Sequence, residues 1–290
     1  HKDGAAHQQD AREPIPVAIA IGGDPAITYS ATAPLPPHID EMIFAGFLRG
    51  RSVEMVQCLT QDIQVPADAE IVLEGHVDPT DIGPEGPFGD HTGYYTPVDD
   101  YPRFHLTAIT MRRDAIYSTT VVGAPPMEDL WLGKATERVF LPLIKMTLPD
   151  LVDMNLPPEG VFHNCALVSI RKRYPGHAKK LMNAIWGLGL LSLTRCIVVV
   201  DDDVDVQDVS AVAFRAFSNV DPARDSLIVD GPVDALDHAA PYFAYGSKIG
   251  FDATRKLPGE GVVRPWPDEI RMSADVRARV DGRWSEYGLG

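Results

Sequence analysis

The sequence predicts a mixed α/β (α+β) chain in two unlike parts followed by a helical tail. Residues 16–122 hold short β-branched runs with one helical stretch among them. Residues 128–217 alternate helix with strand, the pattern of an α/β layer, and residues 268–286 form a charged helix.

The first strand, 16–22, is apolar and closes at Gly22-Gly23-Asp24-Pro25, a turn signal. After the prolines of PLPPHIDEMIFAGFLRG, Met42, Phe44, Ala45 and Leu48 share a helix face that Gly50 ends. Residues 53–59 and 69–76 alternate as strands. The stretch 79–100, dense in Gly, Pro and Asp, reads as a long ordered loop, and 103–111 and 115–122 as a pair of strands. Gly123-Ala124-Pro125-Pro126 marks a change in composition. A helix over 128–148 follows, with Leu132, Val139, Leu143 and Ile144 apolar. Then come strand 165–170, helix 176–190, strand 196–200 and helix 208–217; residues 241–260 return to Gly-rich loop.

A chain of 290 residues, 45% hydrophobic and 23% charged, is globular and long enough for two domains with their own cores. A net charge of −15 repels nucleic acid and anionic membranes, and no apolar run is long enough to cross a bilayer. Cys58, Cys165 and Cys196 are widely spaced and contain no CxxC pair, which suits reduced thiols and a cytoplasmic location. The chain opens on the polar stretch HKDGAAHQQDAREP and not on methionine, so it is expected to begin in the middle of a fold.

The sharpest local feature is Pro84-Glu85-Gly86-Pro87-Phe88-Gly89-Asp90-His91-Thr92-Gly93-Tyr94-Tyr95. Glycines and prolines forbid a helix there, so a fixed irregular loop must set the geometry of Glu85 and Asp90. Two carboxyls close together cannot both ionise cheaply, and an acid that keeps its proton near neutral pH can donate it to carbon. A solvated acidic loop is the competing reading on spacing alone; the density of Gly, Pro and aromatics weighs against it. Glu41, after Asp40 at a helix start, reads locally as helix capping. Lys248, in Gly246-Ser247-Lys248-Ile249-Gly250, suits a phosphate contact, although taken alone a plain exposed loop lysine explains it better. Asp201-Asp202-Asp203 lacks the glycine and final glutamate of a calcium loop, and Gly187-Leu188-Gly189 is no dinucleotide fingerprint. His163 and His177 have no ligand-spaced partner.

In order, PVAIAIGGDPA, EMIFAGFLRG, VPADAEIVLEG, PEGPFGDHTGYY, DPARD and GSKIGFDATRK resemble the UbiD family of decarboxylases. The resemblance runs from about Pro16 to the C-terminal helix. It implies prenylated FMN, supplied by a separate flavin prenyltransferase, with a divalent metal (usually Mn2+) and K+ at the cofactor phosphate. It implies reversible, non-oxidative decarboxylation of an aromatic or α,β-unsaturated carboxylic acid, releasing CO2. Carried over residue by residue, Asp90 is the proton donor and Glu85 its partner acid, Glu41 is a metal ligand, and Lys248 and Lys2 reach the cofactor. Leu132 and Trp131 line the substrate pocket. The network arginine and the other metal ligands fall in a segment N-terminal to the matched region. The resemblance also implies residues 1–123 as the C-terminal part of a flavin-reductase-like split β-barrel, 124–250 as an α/β oligomerisation domain, and 251–290 as a C-terminal loop and helix, in a homodimer or hexamer. Two other readings stay open: a non-catalytic flavin-binding or assembly subunit, and a plain FMN oxidoreductase on the same barrel.

Overall fold

A computed structural model describes residues 13–36 and 38–288. Its first half is built on one long β-hairpin. Strand β1 (Ile15–Ile21) is followed by a short helix α1 (Pro25–Ser30), then α2 (Glu41–Arg49), the small ribbon β2 (Met55–Gln57) and β3 (Gln64–Pro66), and β4 (Ile71–Glu85). Two-residue strands β5 (Phe88–Gly89) and β6 (Tyr95–Thr96) form the hairpin tip, and β7 (Asp99–Met111) returns. β4 pairs antiparallel with β1 on one side and β7 on the other, an open three-stranded sheet. Among the described residues nothing closes it into a barrel.

The second half begins with helix α3 (Asp129–Thr147) and strand β8 (Leu151–Asn155). Next come β9 (Cys165–Ile170), α4 (His177–Ile185), β10 (Cys196–Asp201), α5 (Val209–Asn219), the single turn α6 (Pro222–Asp225), β11 (Ser226–Pro232) and β12 (Tyr245–Asp252). These strands make one five-stranded sheet ordered β11-β12-β10-β9-β8, parallel through β12, β10 and β9 and antiparallel at both edges. Side chains alternate across it. Ala166, Val168, Ile170, Ile197 and Val199 pack with Ala178, Leu181, Met182 and Ile185 of α4. Leu167, Val198 and Val200 pack with Val212 of α5 on the other face. Helix α7 (Ala274–Gly282), followed by a 3-10 turn over Trp284–Tyr287, buries none of its residues.

The mixed α/β class expected from the alternation is what the structure shows, with differences in detail. Residues 79–85 and 99–100 are hairpin arms and not loop, because the β4–β7 ladder resumes past an irregularity between Val77 and Ile82. Residues 115–122 form no strand. Ile116 and Val121 are exposed, and the Ile116 amide donates to a side chain, Glu70 Oε2 at 3.1 Å, in place of a ladder partner. Residues 245–252 are a strand of the main sheet, although their glycines read as loop. A Cβ on Gly250 would lie 2.5 Å from Met182 Sδ, so this glycine lets α4 sit directly on β12. Helix 176–190 stops at Ile185, short of a 3-10 turn over Gly189–Leu193. Edge strands β8 and β11, with little alternation to mark them, were not expected. Helix α2 runs as expected, with Asp40 Oδ1 accepting from the Met42 and Ile43 amides and Gly50 left-handed at φ 67°.

Candidate functional site

The tip of the hairpin carries Asp90 to the second half of the molecule. Gly93, at φ 82°, donates its amide to the Asp90 carbonyl (3.0 Å), and the Asp90 amide donates to the Tyr94 carbonyl (3.2 Å). A Cβ on Gly93 would lie 3.1 Å from the Gly123 carbonyl, so the tip lies tight against the linker. Asp90 Oδ1 accepts from its neighbour's amide and meets His91 Nδ1, each at 2.6 Å, with the Asp90 side chain 14% exposed. His91 Nε2 in turn meets His163 Nε2 at 3.0 Å. The result is a continuous row, Asp90–His91–His163, that joins the hairpin tip to the loop before β9.

The loop that offers His163 is held in a costly conformation. Val161 and Phe162 have φ of 42° and 54°, in the left-handed region where a β-branched or aromatic residue costs about 1–3 kcal/mol. Packing holds it there. A Cβ on Gly133 of α3 would fall 2.5 Å from Phe162 Cβ, and the rings of Phe162 and His91 are 5.7 Å apart. Gly133→Ala is therefore expected to push α3 from this loop, lower stability by about 1–3 kcal/mol, and loosen the His91–His163 contact. Thermal melts and His ring 15N shifts would check this; a variant as stable as the parent with unmoved ring signals would contradict it.

His91, His163 and Asp234 share the lining of a cavity of about 430 Å³ whose other walls are chiefly apolar, including Phe140, Leu143, Ile144, Leu156, Phe162 and Leu191. Burial holds the His163 imidazole below its usual 6.5, against the opposing charges of Asp234 and Asp129. His163 Nδ1 is buried with no hydrogen-bond partner, as are both carboxyl oxygens of Asp129, a residue only 2% exposed at the start of α3.

The other expected site residues are dispersed. Glu85 ends β4, exposed, opposite Asp99, and among the described residues no hydrogen bond or ion pair joins it to Asp90. Glu41 is exposed at the first turn of α2, and among the described residues no group of three or more His, Cys, Asp or Glu could hold a metal. The described residues therefore do not amount to a metal site. Lys248 lies in β12, 3% exposed, and not in a loop. Its ammonium donates to the Ser192 carbonyl, and burial pushes its pKa below 10.5. A contact with a cofactor phosphate would require it to leave that carbonyl. Trp131 is 72% exposed, Leu132 is half-buried, and neither lines the cavity. Lys2 lies outside the described residues. Sequence reasoning missed His163, because its partner is 72 residues away and no spacing rule connects them.

Two family models match this chain. The 3-octaprenyl-4-hydroxybenzoate carboxy-lyase Rift-related domain (UbiD) covers residues 1–125, and the C-terminal domain of the same carboxy-lyase covers residues 130–253. An uncharacterized protein of Aquifex aeolicus is 55% identical over 293 residues, all of this chain and 60% of that relative. One from Archaeoglobus fulgidus is 55% identical over 291 residues, 99% of this chain and again 60% of the relative. The UbiD-class enzyme HmfF from Pelotomaculum thermopropionicum, in complex with FMN, superposes with a TM-score of 0.77 at 33% identity, over 90% of this chain and 59% of that one. The vanillic acid decarboxylase of Sedimentibacter hydroxybenzoicus, in closed form, superposes with a TM-score of 0.86 at 26% identity, over 100% of this chain and 62% of that one. The chain thus spans about 60% of the length of these relatives. Among the described residues no helix is long and apolar enough to cross a membrane.

Proposed function

The chain belongs to the UbiD family, and from that premise we propose that it carries the proton-donating half of a decarboxylase site acting on an aromatic or α,β-unsaturated carboxylic acid. The observation that carries this reading is Asp90, held at a rigid hairpin tip by the Gly93 turn and hydrogen-bonded to a histidine that lines an apolar cavity. The related HmfF structures hold FMN in one case and prFMN in another. The apolar walls and the adjacent acid suit a flat conjugated group, and the proposed cofactor here is prenylated FMN. When bound, it supplies the electron sink for the carbanion left by CO2.

The chain's own residues do the rest. Apolar walls exclude water from the carbanion, which would otherwise take a proton from any source. Asp90 delivers one proton to the carbon that lost CO2. Glu85 is proposed to hold a cationic partner of that acid, and Glu41 to contribute one metal ligand to a set completed by other residues. Lys248 and Lys2 are the proposed cofactor contacts, and Trp131 and Leu132 the proposed pocket residues. Assembly as a homo-oligomer, in line with a dimeric form among the related structures, belongs to the same proposal.

The test is to co-produce the protein with a flavin prenyltransferase and supply a panel of aryl and acrylic acids in D2O. Expected are CO2 in the headspace and a single deuterium at the carbon that lost the carboxylate. Bound flavin without CO2 release from any acid would favour a binding or assembly subunit. Oxidation of NADH by a plain FMN form would favour an oxidoreductase.

A further inference from the structure

Cys165 and Cys196 are far apart in the sequence, and the fold brings them together. They open β9 and β10, neighbouring parallel strands, and are direct partners in the ladder. The spacing of strands puts their Cα atoms about 4.8 Å apart, inside the range of roughly 4.4–6.8 Å that a disulfide accepts. Both side chains lie on the face that packs against α5, beside Leu167, Val198 and Val212. Both are free thiols and half-buried, so a small oxidant can reach them; Cys58, in the first half of the chain, is buried.

The two sulfurs are not equivalent. The Cys165 thiol donates towards Cys196 Sγ, which raises Cys165 above its usual 9.0 and lowers Cys196 below it. Burial and the charge of Glu159 add to the first effect; the charge of Arg195 adds to the second, against burial. Arg195 is held in place by Asp237, whose two carboxyl oxygens accept from it at 2.7 and 2.9 Å. A thiolate on Cys196 thus faces a thiol on Cys165. Cys58 is the opposite case, since burial and Glu74 keep its thiol above 9.0.

We propose that Cys165 and Cys196 form a site of reversible oxidation by hydroperoxides, in which Cys196 attacks and Cys165 closes a disulfide. The Cys196 thiolate attacks the outer peroxide oxygen. A sulfur–oxygen bond forms, the oxygen–oxygen bond breaks, and the alkoxide or hydroxide that leaves takes a proton from water. Cys165 Sγ then displaces the hydroxyl of the Cys196 sulfenic acid, giving the disulfide and water, with the Cys165 proton leaving in that water. Two thiols lose two electrons in all, and the peroxide is reduced to an alcohol or to water. Exchange with a dithiol restores both cysteines. The bridge would clamp the foot of the turn that carries His163. The Asn164 carbonyl already accepts from the Arg195 and Cys196 amides at 3.1 and 2.8 Å, and a Cβ on Gly160 would collide with Cys165 Cβ.

The experiment treats the intact folded protein with hydrogen peroxide, blocks the remaining thiols by alkylation and maps the peptides without reduction. Expected is one linked pair of peptides carrying Cys165 and Cys196, with Cys58 alkylated, and loss of the link in dithiothreitol. Cys165→Ser keeps a hydroxyl donor towards Cys196 and removes the resolving sulfur. In that variant Cys196 is expected to stop at the sulfenic acid and to take up dimedone at least about tenfold faster than Cys58. In Cys196→Ser, Cys165 is expected to stay unoxidised at the same dose. Alanine replaces serine where a serine variant does not fold. Dimedone on Cys165 in place of Cys196, Cys58 oxidised as fast as Cys196, or Cys196 carried to sulfinic acid with no link to Cys165 would each overturn the proposal. None of these measurements needs turnover, so they decide the matter whether or not the chain decarboxylates any acid.

Discussion

On the proposed decarboxylase reading, Asp90→Asn is expected to release CO2 at least about 10²-fold more slowly than the unaltered protein, with KM and the melting transition little changed. The size follows from what the substitution removes. Asp90 Oδ1 accepts from the His91 amide and ring, each at 2.6 Å, and an amide oxygen can accept the same two bonds. The hairpin tip is set by backbone contacts at Gly93 and Tyr94, which an asparagine leaves alone. What disappears is the exchangeable carboxyl proton, and a positioned general acid is worth roughly 10²–10⁴ in rate. The steady-state rate on any acid that the protein decarboxylates, read beside a thermal melt, decides it. Full turnover by the variant would place the donor elsewhere. A lost melting transition would mean that Asp90 acts on the fold, and the His91–His163 contact would then be the first to inspect.

How much of this was legible in the sequence differs between the halves of the chain. Unbroken apolar, β-branched runs at 165–170 and 196–200 marked the central strands, because both faces of that sheet are buried under helices. The same rule failed where a strand's identity depends on a distant partner. Residues 115–122 have the composition of a strand and pair with none, while 245–252 have the glycines of a loop and lie between β10 and β11. Gly250 was misread because its missing side chain serves a neighbouring helix and not a turn. At the site, Asp90 stood out since its loop needed glycine and proline at fixed positions. His163 did not, because a hydrogen bond across 72 residues leaves no periodic trace. Lys248 was legible as unusual and not in its setting: a strand buries it against Ser192.

The marker DATRK is better explained by stability than by chemistry, and Lys256→Met is expected to cost about 3–5 kcal/mol. The Lys256 side chain is fully buried, and its ammonium reaches Asp225 Oδ1 at 3.2 Å, Asp252 Oδ1 at 3.1 Å and the Asp252 carbonyl at 2.5 Å. Asp252 is shared with Lys172, which also pairs with Glu260 at 2.5 Å, so the segment after β12 is pinned across the ends of the parallel strands. Methionine keeps the length and apolar stem and removes the cation, which leaves two buried carboxylates short of a partner. The pair is worth less than this cost, since most of the loss is the charge left behind; adding Asp225→Asn to the variant should restore part of the stability. The same cluster sets an acid limit. Burial raises the Asp225 carboxyl, yet Arg224 and Lys256 together hold it below 3.8, and Lys172 in the same way holds Glu260 below 4.5. Their folded values are depressed, so their contribution is complete above about pH 4.5 and drains away as pH falls through the folded values. Urea midpoints should therefore fall as pH drops below that value, and less steeply in Lys256→Met, where Asp225 is no longer held as low. A variant with the midpoint and acid slope of the parent would show that this cluster is solvated in practice and holds nothing in place.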